Sequence, residues 1–178
     1  MSKGRRVAAL DTCALSFYQQ GSVEGAPPDA VRCAKKIEHY MRGVQDEKGE
    51  VFLPAICLGE YLAQYSDHQR ESVRDGIEEN FIIIEYGVEA AMQFAKMRFD
   101  KEAFNAAKNK SGRTAQTLKV DCLITALACG YGATEILTDN SRDFVNLTRN
   151  RLTVMLIDDL PDPPKEPGGL FDGVQLPD

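Results

Sequence analysis

The chain has 178 residues, 43% hydrophobic and 27% charged, a balance that suits one globular domain able to close its own core and excludes a disordered or fibrous chain. No apolar run approaches the roughly 18 residues of a membrane span. The opening Met1-Ser2-Lys3-Gly4-Arg5-Arg6 passes straight into Val7-Ala8-Ala9-Leu10 without a secretory pattern, so a cytoplasmic protein with no membrane partner is expected.

In chain order, a first strand is predicted over residues 7–10 and a loop over 21–28, where Pro27 and Pro28 precede Asp29, a candidate helix cap. Residues 29–45 carry Ala30, Val31, Ala34, Ile37, Met41 and Val44 at three- and four-residue steps, the pattern of an amphipathic helix. A strand over 51–56, helices over 57–65 and 69–79, a strand over 81–86 and a long helix over 88–109 follow. Residues 118–129 are apolar nearly all round and predict a core helix, ended by Gly130-Tyr131-Gly132. Strands over 135–138 and 154–157 complete an alternation of strands and helices that implies a parallel sheet. Residues 1–160 are read as the domain. Residues 161–178, rich in Pro, Gly and acid, are read as a tail, so a chain ending at Asp159 is expected to fold.

The net charge of −6 argues by itself against a nucleic-acid partner, but it is unevenly spread. Asp158, Asp159, Asp162, Glu166, Asp172 and Asp178 against Lys165 give the end of the chain −5, whereas residues 96–119 carry +5 from Lys96, Arg98, Lys101, Lys108, Lys110, Arg113 and Lys119 against Asp100 and Glu102. Such a stretch is either a solvated helix face or a guide for phosphates. The five cysteines, at 13, 33, 57, 122 and 129, form no C-x-x-C pair and read as reduced core thiols. His39 and His68 have no partner at ligand spacing, which leaves zinc without a ligand set.

In parallel α/β sheets, reactive groups collect at the carboxyl ends of strands. Asp11 ends the first strand and Asp139 the fourth; the plain alternative for each is a helix cap or turn residue. Glu60 shares its expected helix face with Ile56 and Ala63; its plain alternative is an edge-exposed residue. Asp121 is the only charged residue from Val120 through Cys129 and shares its face with Leu118, Ile124 and Thr125; its plain alternative is a first-turn acid favoured by the helix dipole. Four carboxylates from four elements meet in one cleft only if a cation offsets their repulsion. Hard oxygen ligands without Cys or His select Mg²⁺ or Mn²⁺, which most often handle phosphate esters. Asp143, in Arg142-Asp143-Phe144, is a candidate fifth member.

The order of these motifs resembles the PIN-domain nucleases, in particular toxin ribonucleases of the VapC type. The resemblance rests on Asp11-Thr12 after the first strand, the mid-helix Glu60, Val120-Asp121-Cys122-Leu123-Ile124-Thr125-Ala126-Leu127-Ala128 and Leu137-Thr138-Asp139-Asn140-Ser141-Arg142-Asp143-Phe144, and it spans residues 7–157. It implies a three-layer α/β/α fold around a five-stranded parallel sheet, Mg²⁺- or Mn²⁺-dependent cleavage of single-stranded RNA, a homodimer and a cognate antitoxin protein. On this resemblance Asp11, Glu60 and Asp121 fall on the family's acids, and the fourth position lies among Asp139, Asn140 and Asp143. Thr12, Thr138 and Asn140 would orient ligands or waters, and Lys108, Lys110, Arg113 and Lys119 would steer the RNA backbone. The longer loop before Asp29 and the acidic tail depart from the compact toxins.

Three other readings compete. A haloacid-dehalogenase-like phosphatase needs an acid two residues after Asp11, where Cys13 stands. A receiver domain needs a Lys after the last strand, where Asp158 and Asp159 stand. An inactive PIN-like scaffold that binds RNA or protein has no reason to hold carboxylates on core faces.

Overall fold

The computed structural model describes residues 5–99, 105, 108–109, 114–148 and 151–164; within these, the side chains of 98, 99, 115, 141–143 and 146 are not described. The elements run β1 (Val7–Leu10), α1 (Thr12–Gly21), α2 (Pro28–Asp46), β2 (Glu50–Pro54), α3 (Ala55–Leu62), α4 (Asp67–Glu78), β3 (Ile82–Ile84), α5 (Val88–Phe99), α6 (Ala115–Gly130), β4 (Glu135–Thr138), α7 (Ser141–Thr148) and β5 (Thr153–Leu156). The strands form one five-stranded sheet in the order β3-β2-β1-β4-β5. Every pairing is parallel, with Ala8 opposite Val51 on one side and opposite Glu135 on the other.

Helices cover the central strands, so these read as continuous apolar runs rather than alternating ones. Ala8, Ala9, Leu10, Leu53, Ile136 and Leu137 are fully buried. The apolar stripe of α2 buries Ala34, Ile37, Met41 and Val44 as its spacing required. Its start is one residue earlier than expected: Pro28 holds the first helical position, where a missing N–H costs nothing, and Asp29 sits in the first turn instead of capping it. Pro54 closes β2 two residues before the expected strand end, and α3 begins directly at Ala55. The long helix expected over 88–109 is described continuously only to Phe99, with residues 105 and 108–109 also helical.

The α1 helix was not legible in the sequence, because Phe17, Tyr18 and the polar Ser16, Gln19 and Gln20 give no clean apolar stripe. At the end of α6, Gly132 takes φ +77°, and the Ala133 N–H donates to the Ala128 carbonyl at 2.9 Å. Gly130 lets α6 lie against α5: a Cβ there would stand 2.8 Å from the Ala90 nitrogen.

The sequence past β5 is tied down further than its composition suggested. Leu160 is 2% exposed and belongs to the main core, and Lys36, itself buried on α2, donates from Nζ to the Asp158 carbonyl at 2.9 Å and pairs with Asp162 at 3.8 Å. A chain ending at Asp159 would therefore lose a core side chain, against the expectation from composition. Leu160→Ala should destabilise the fold by roughly 2–5 kcal/mol. Thermal melts should place a chain ending at Asp159 clearly below one ending at Pro164; equal melts would show that Leu160 contributes no packing.

Candidate active site

The chain winds outward from β1 through β2 to β3, then returns to lay β4 on the other side of β1. The crevice beyond the carboxyl ends of β1 and β4 is the switch point at which ligands of such sheets bind. Asp11 leaves β1 there, and its N–H donates to the Leu137 carbonyl at 3.1 Å, which continues the strand pairing. Its side chain caps α1, Oδ1 accepting from the Ala14 N–H at 2.8 Å, so the cap reading of this residue is correct. The cap does not exhaust its role. Oδ2 accepts from the Thr138 hydroxyl at 2.5 Å, and the Thr138 oxygen in turn accepts from the Asn140 N–H at 2.8 Å. Thr138 is fully buried, so the ends of β1 and β4 are joined by one hydrogen-bond relay.

Asp11 is 4% exposed. Burial pushes its carboxyl up to about 6, against the Thr138, Ala14 and Cys13 hydrogen bonds, which pull it down; the charge of Asp139 raises it further.

Asp11, Thr12, Cys13, Glu60, Gln116, Thr117, Val120, Asp121, Ile124, Asn140 and Phe144 surround a cleft of about 430 Å³. Three elements thus bring Asp11, Glu60 and Asp121 to one space. Of its two sequence readings, Glu60 follows the exposed one. The α3 helix buries Cys57, Leu58 and Tyr61, and Glu60 is exposed toward the cleft, where the Thr12 hydroxyl donates to its Oε2. Asp121 is 8% exposed in the middle of α6. The first-turn explanation for it fails, because α6 starts at Ala115 under a Thr114 cap, more than a turn upstream.

Asp139 is exposed and stands outside the cleft lining, whereas the neighbouring Asn140 is part of it. The Asp143 side chain lies outside the described residues, although α7, which carries it, presents Phe144 to the cleft. Lys108 and Lys119 are exposed and neither lines the cleft; Lys110 and Arg113 lie outside the described residues. Gln116 and Thr117 were missed. The expected helix began at 118, and only an earlier start puts 116 and 117 on the face of 120, 121 and 124; Thr114 as an N-cap was the available signal.

Apart from the Cys13 thiol, the polar groups of the cleft are oxygen donors or amides. Among the described residues no three His, Cys, Asp or Glu side chains are gathered into a ready metal shell. Oxygen donors spread round an open cleft fit a hard ion that keeps several waters, as Mg²⁺ does when one or two carboxylates hold it. They do not fit zinc, which is enclosed by four ligands in structural sites.

The sign of the Asp11 shift gives a test in metal-free protein. Its folded value lies above the unfolded 3.8, so its stabilisation is complete below pH 3.8 and is lost as pH rises through about 6. Two units at this depth amount to about 3 kcal/mol. In EDTA, the wild type should gain stability from this group as pH falls from 7 toward 4, and Asp11→Asn, which keeps a cap oxygen, should lack that gain. Parallel pH profiles of the two melts would remove Asp11 as the titrating group.

No protein-family model matches the chain, and no curated protein matches it. Solved structures do. VapBC-1 from nontypeable Haemophilus influenzae is similar at 14% identity and a TM-score of 0.57, over 85% of this chain and 98% of that one. DNA-bound VapBC from Salmonella typhimurium is similar at 16% identity and 0.56, over 85% and 98%. VapBC2 from Rickettsia felis, bound to a promoter DNA fragment, is similar at 14% identity and 0.55, over 84% and 98%. The parallel five-stranded α/β architecture of this chain is therefore PIN-like.

Proposed function

We propose that the chain is a Mg²⁺- or Mn²⁺-dependent endonuclease that hydrolyses single-stranded RNA. The observation that carries the reading is the convergence of Asp11, Glu60 and Asp121, from three separate elements, on one cleft at the switch point of a PIN-like sheet. Carboxylates brought together there would repel one another unless the site is built for a cation. Asp11, Glu60 and Asp121 would hold the ion, with Asn140 or Asp143 supplying a further oxygen. The ion would supply polarisation of a phosphoryl oxygen and a water acidic enough to attack near neutral pH.

The chain's own groups prepare that chemistry. Thr138 and the Ala14 N–H fix both oxygens of Asp11, and Thr12 orients Glu60. The half-buried His39 on α2 and the exposed His68 on α4 are both absent from the cleft lining, so no described imidazole is placed to deprotonate a ribose 2′-hydroxyl. Water is then the nucleophile, and the products carry 5′-phosphate and 3′-hydroxyl ends. Lys108, Lys110, Arg113 and Lys119 would act at longer range, drawing the phosphate backbone toward an acidic cleft that binds it poorly by itself. The likeness to VapBC structures supports a role as the toxin of a toxin–antitoxin pair, with an antitoxin protein as partner; a homodimer would be its working form.

End-labelled RNA incubated with purified protein and Mn²⁺ should be cut, EDTA should stop the reaction, and 2′,3′-cyclic phosphate ends would sink the mechanism. Asp121→Asn should abolish cleavage while stabilising the metal-free protein by on the order of 1 kcal/mol through relief of repulsion. It should also blunt the rise in melting temperature that Mn²⁺ gives the wild type. An Asn variant that still cuts would remove Asp121 from the site. Changing Lys108, Lys110 and Arg113 to Ala should flatten the salt dependence of RNA binding with the melt unchanged; an unaltered slope would leave them a plain solvated face.

A further inference from the structure

The strand β5 lies at one edge of the sheet. It pairs with β4, Glu135 standing opposite Thr153 and Thr138 opposite Leu156 without a break in register, and among the described residues nothing pairs with its other edge. The Thr153 N–H donates to the Thr134 carbonyl at 2.9 Å and the Ile157 N–H to the Thr138 carbonyl at 3.3 Å, so alternate residues face β4. Leu152, Val154 and Leu156 therefore turn their backbone groups outward. In the turn that follows, the Leu156 carbonyl accepts from the Asp159 N–H at 3.1 Å, which leaves both backbone groups of Val154 and the N–H of Leu156 pointing away from the sheet.

Such an edge is an open template for another strand, and proteins commonly guard it with a charge, a proline or a bulge. Thr153, Val154, Met155 and Leu156 supply none of these. Val154, Met155 and Leu156 are each half-buried, so neither face of the strand is fully covered, and α7, which packs against β5, carries Val145 at 56% exposure. The charges stand just outside the strand. Arg151 precedes it, Asp158 and Asp159 follow it, and all three are exposed and in no ion pair among the described residues. A second β5 laid antiparallel brings the cation at one end beside the acids at the other, and the two-fold axis repeats the contact. The opposite edge is not self-complementary in this way: antiparallel copies of β3 would bring the exposed Glu85 toward the exposed Glu79, and like charges across a strand pair repel.

We propose that β5 is a dimerisation edge, on which the β5 of a second copy of this chain pairs antiparallel and joins the two sheets into one of ten strands. Val154 stands opposite Val154 of the partner subunit and exchanges both backbone hydrogen bonds with it. The Leu156 N–H meets the carbonyl of Leu152 of the partner subunit, and Arg151 lies beside Asp158 and Asp159 of the partner subunit. Antiparallel pairing points the carboxyl ends of the two sheets in opposite directions, so the two clefts open at opposite ends and each copy supplies its whole site. The inference gives a surface to the homodimer of the proposed function, rests on that part of the reading alone and uses none of its chemistry.

Sedimentation across a concentration series tests it, and the wild type should reach twice the mass of one chain. Arg151→Glu sets acid against acid at both ends of the pair, and Asp158→Arg with Asp159→Arg sets cation against cation, so each variant alone should sediment as a monomer. Mixed in equal amounts, the two variants complement each other and should sediment as a dimer. The substituted side chains are all exposed, so the fold should persist in both. Hydrogen exchange reads the strand pairing itself. The Val154 and Leu156 N–H groups should exchange about tenfold faster in either variant alone than in the wild type or the mixture, while those of Thr153 and Ile157, bonded toward β4, stay unchanged. A wild type that remains monomeric overturns the proposal together with the homodimer. Variants that remain dimeric alone, a mixture that remains monomeric, or Val154 and Leu156 amides that exchange alike in all samples overturn the β5 interface. Cleavage of RNA by the same proteins is scored separately, so failure of the interface and failure of the nuclease reading are told apart.

Discussion

A carboxylate that is 4% exposed has given up nearly all of its water, and at Asp11 the replacement comes from the Thr138 hydroxyl and the Ala14 N–H. Both donors exist only because the chain has already folded around them: one belongs to β4, the other to the first turn of α1. The arrangement fastens β1 to β4 at the switch point, starts α1 and aims a carboxylate at the cleft with both oxygens fixed. It also leaves the group poorly solvated, with its acidity weakened to about 6. A strained carboxylate of this kind is stabilised by a cation far more than an exposed one is, which is why the rest of the site is best understood from Asp11 outward.

Glu60 and Asp121 approach the same space under different constraints. Glu60 is exposed on a short helix whose other face is buried, and a hydroxyl from α1 limits where it points. Asp121 is set into a helix buried along most of its length, with Cys122, Thr125, Ala126, Leu127 and Ala128 all at or near zero exposure. The α6 helix therefore does two jobs. Its middle and end close the core against α5, and its first turns line the cleft with Gln116, Thr117, Val120 and Asp121. Repacking that core would move the cleft wall with it.

Charge is unevenly divided among the described residues around the cleft. The described cleft lining carries acids and no cations, while Lys108 and Lys119 are exposed outside it. An acidic cleft by itself repels phosphate. In the proposed reaction the bound ion reverses the local sign, and the cations act through the longer-range field.

Strand and helix alternation, the stripe of α2 and the acids Asp11, Glu60 and Asp121 were legible in the sequence because each is a local pattern: apolar runs, three- and four-residue spacing, an isolated charge in an apolar stretch. Boundaries set by a single residue were harder to read, as at Pro54, where a proline ends β2, and at Thr114, whose cap starts α6 three residues before its apolar run. The strand order, the exposure of Glu60, the presence of Asn140 rather than Asp139 in the cleft lining, the burial of Leu160 and the Lys36 contacts to Asp158 and Asp162 all belong to the tertiary structure. Sequence spacing determines which face of its own element a residue occupies, but what covers that face is decided by elements far away in the chain. Asp11 and Thr138 stand 127 residues apart and meet only because β4 pairs with β1.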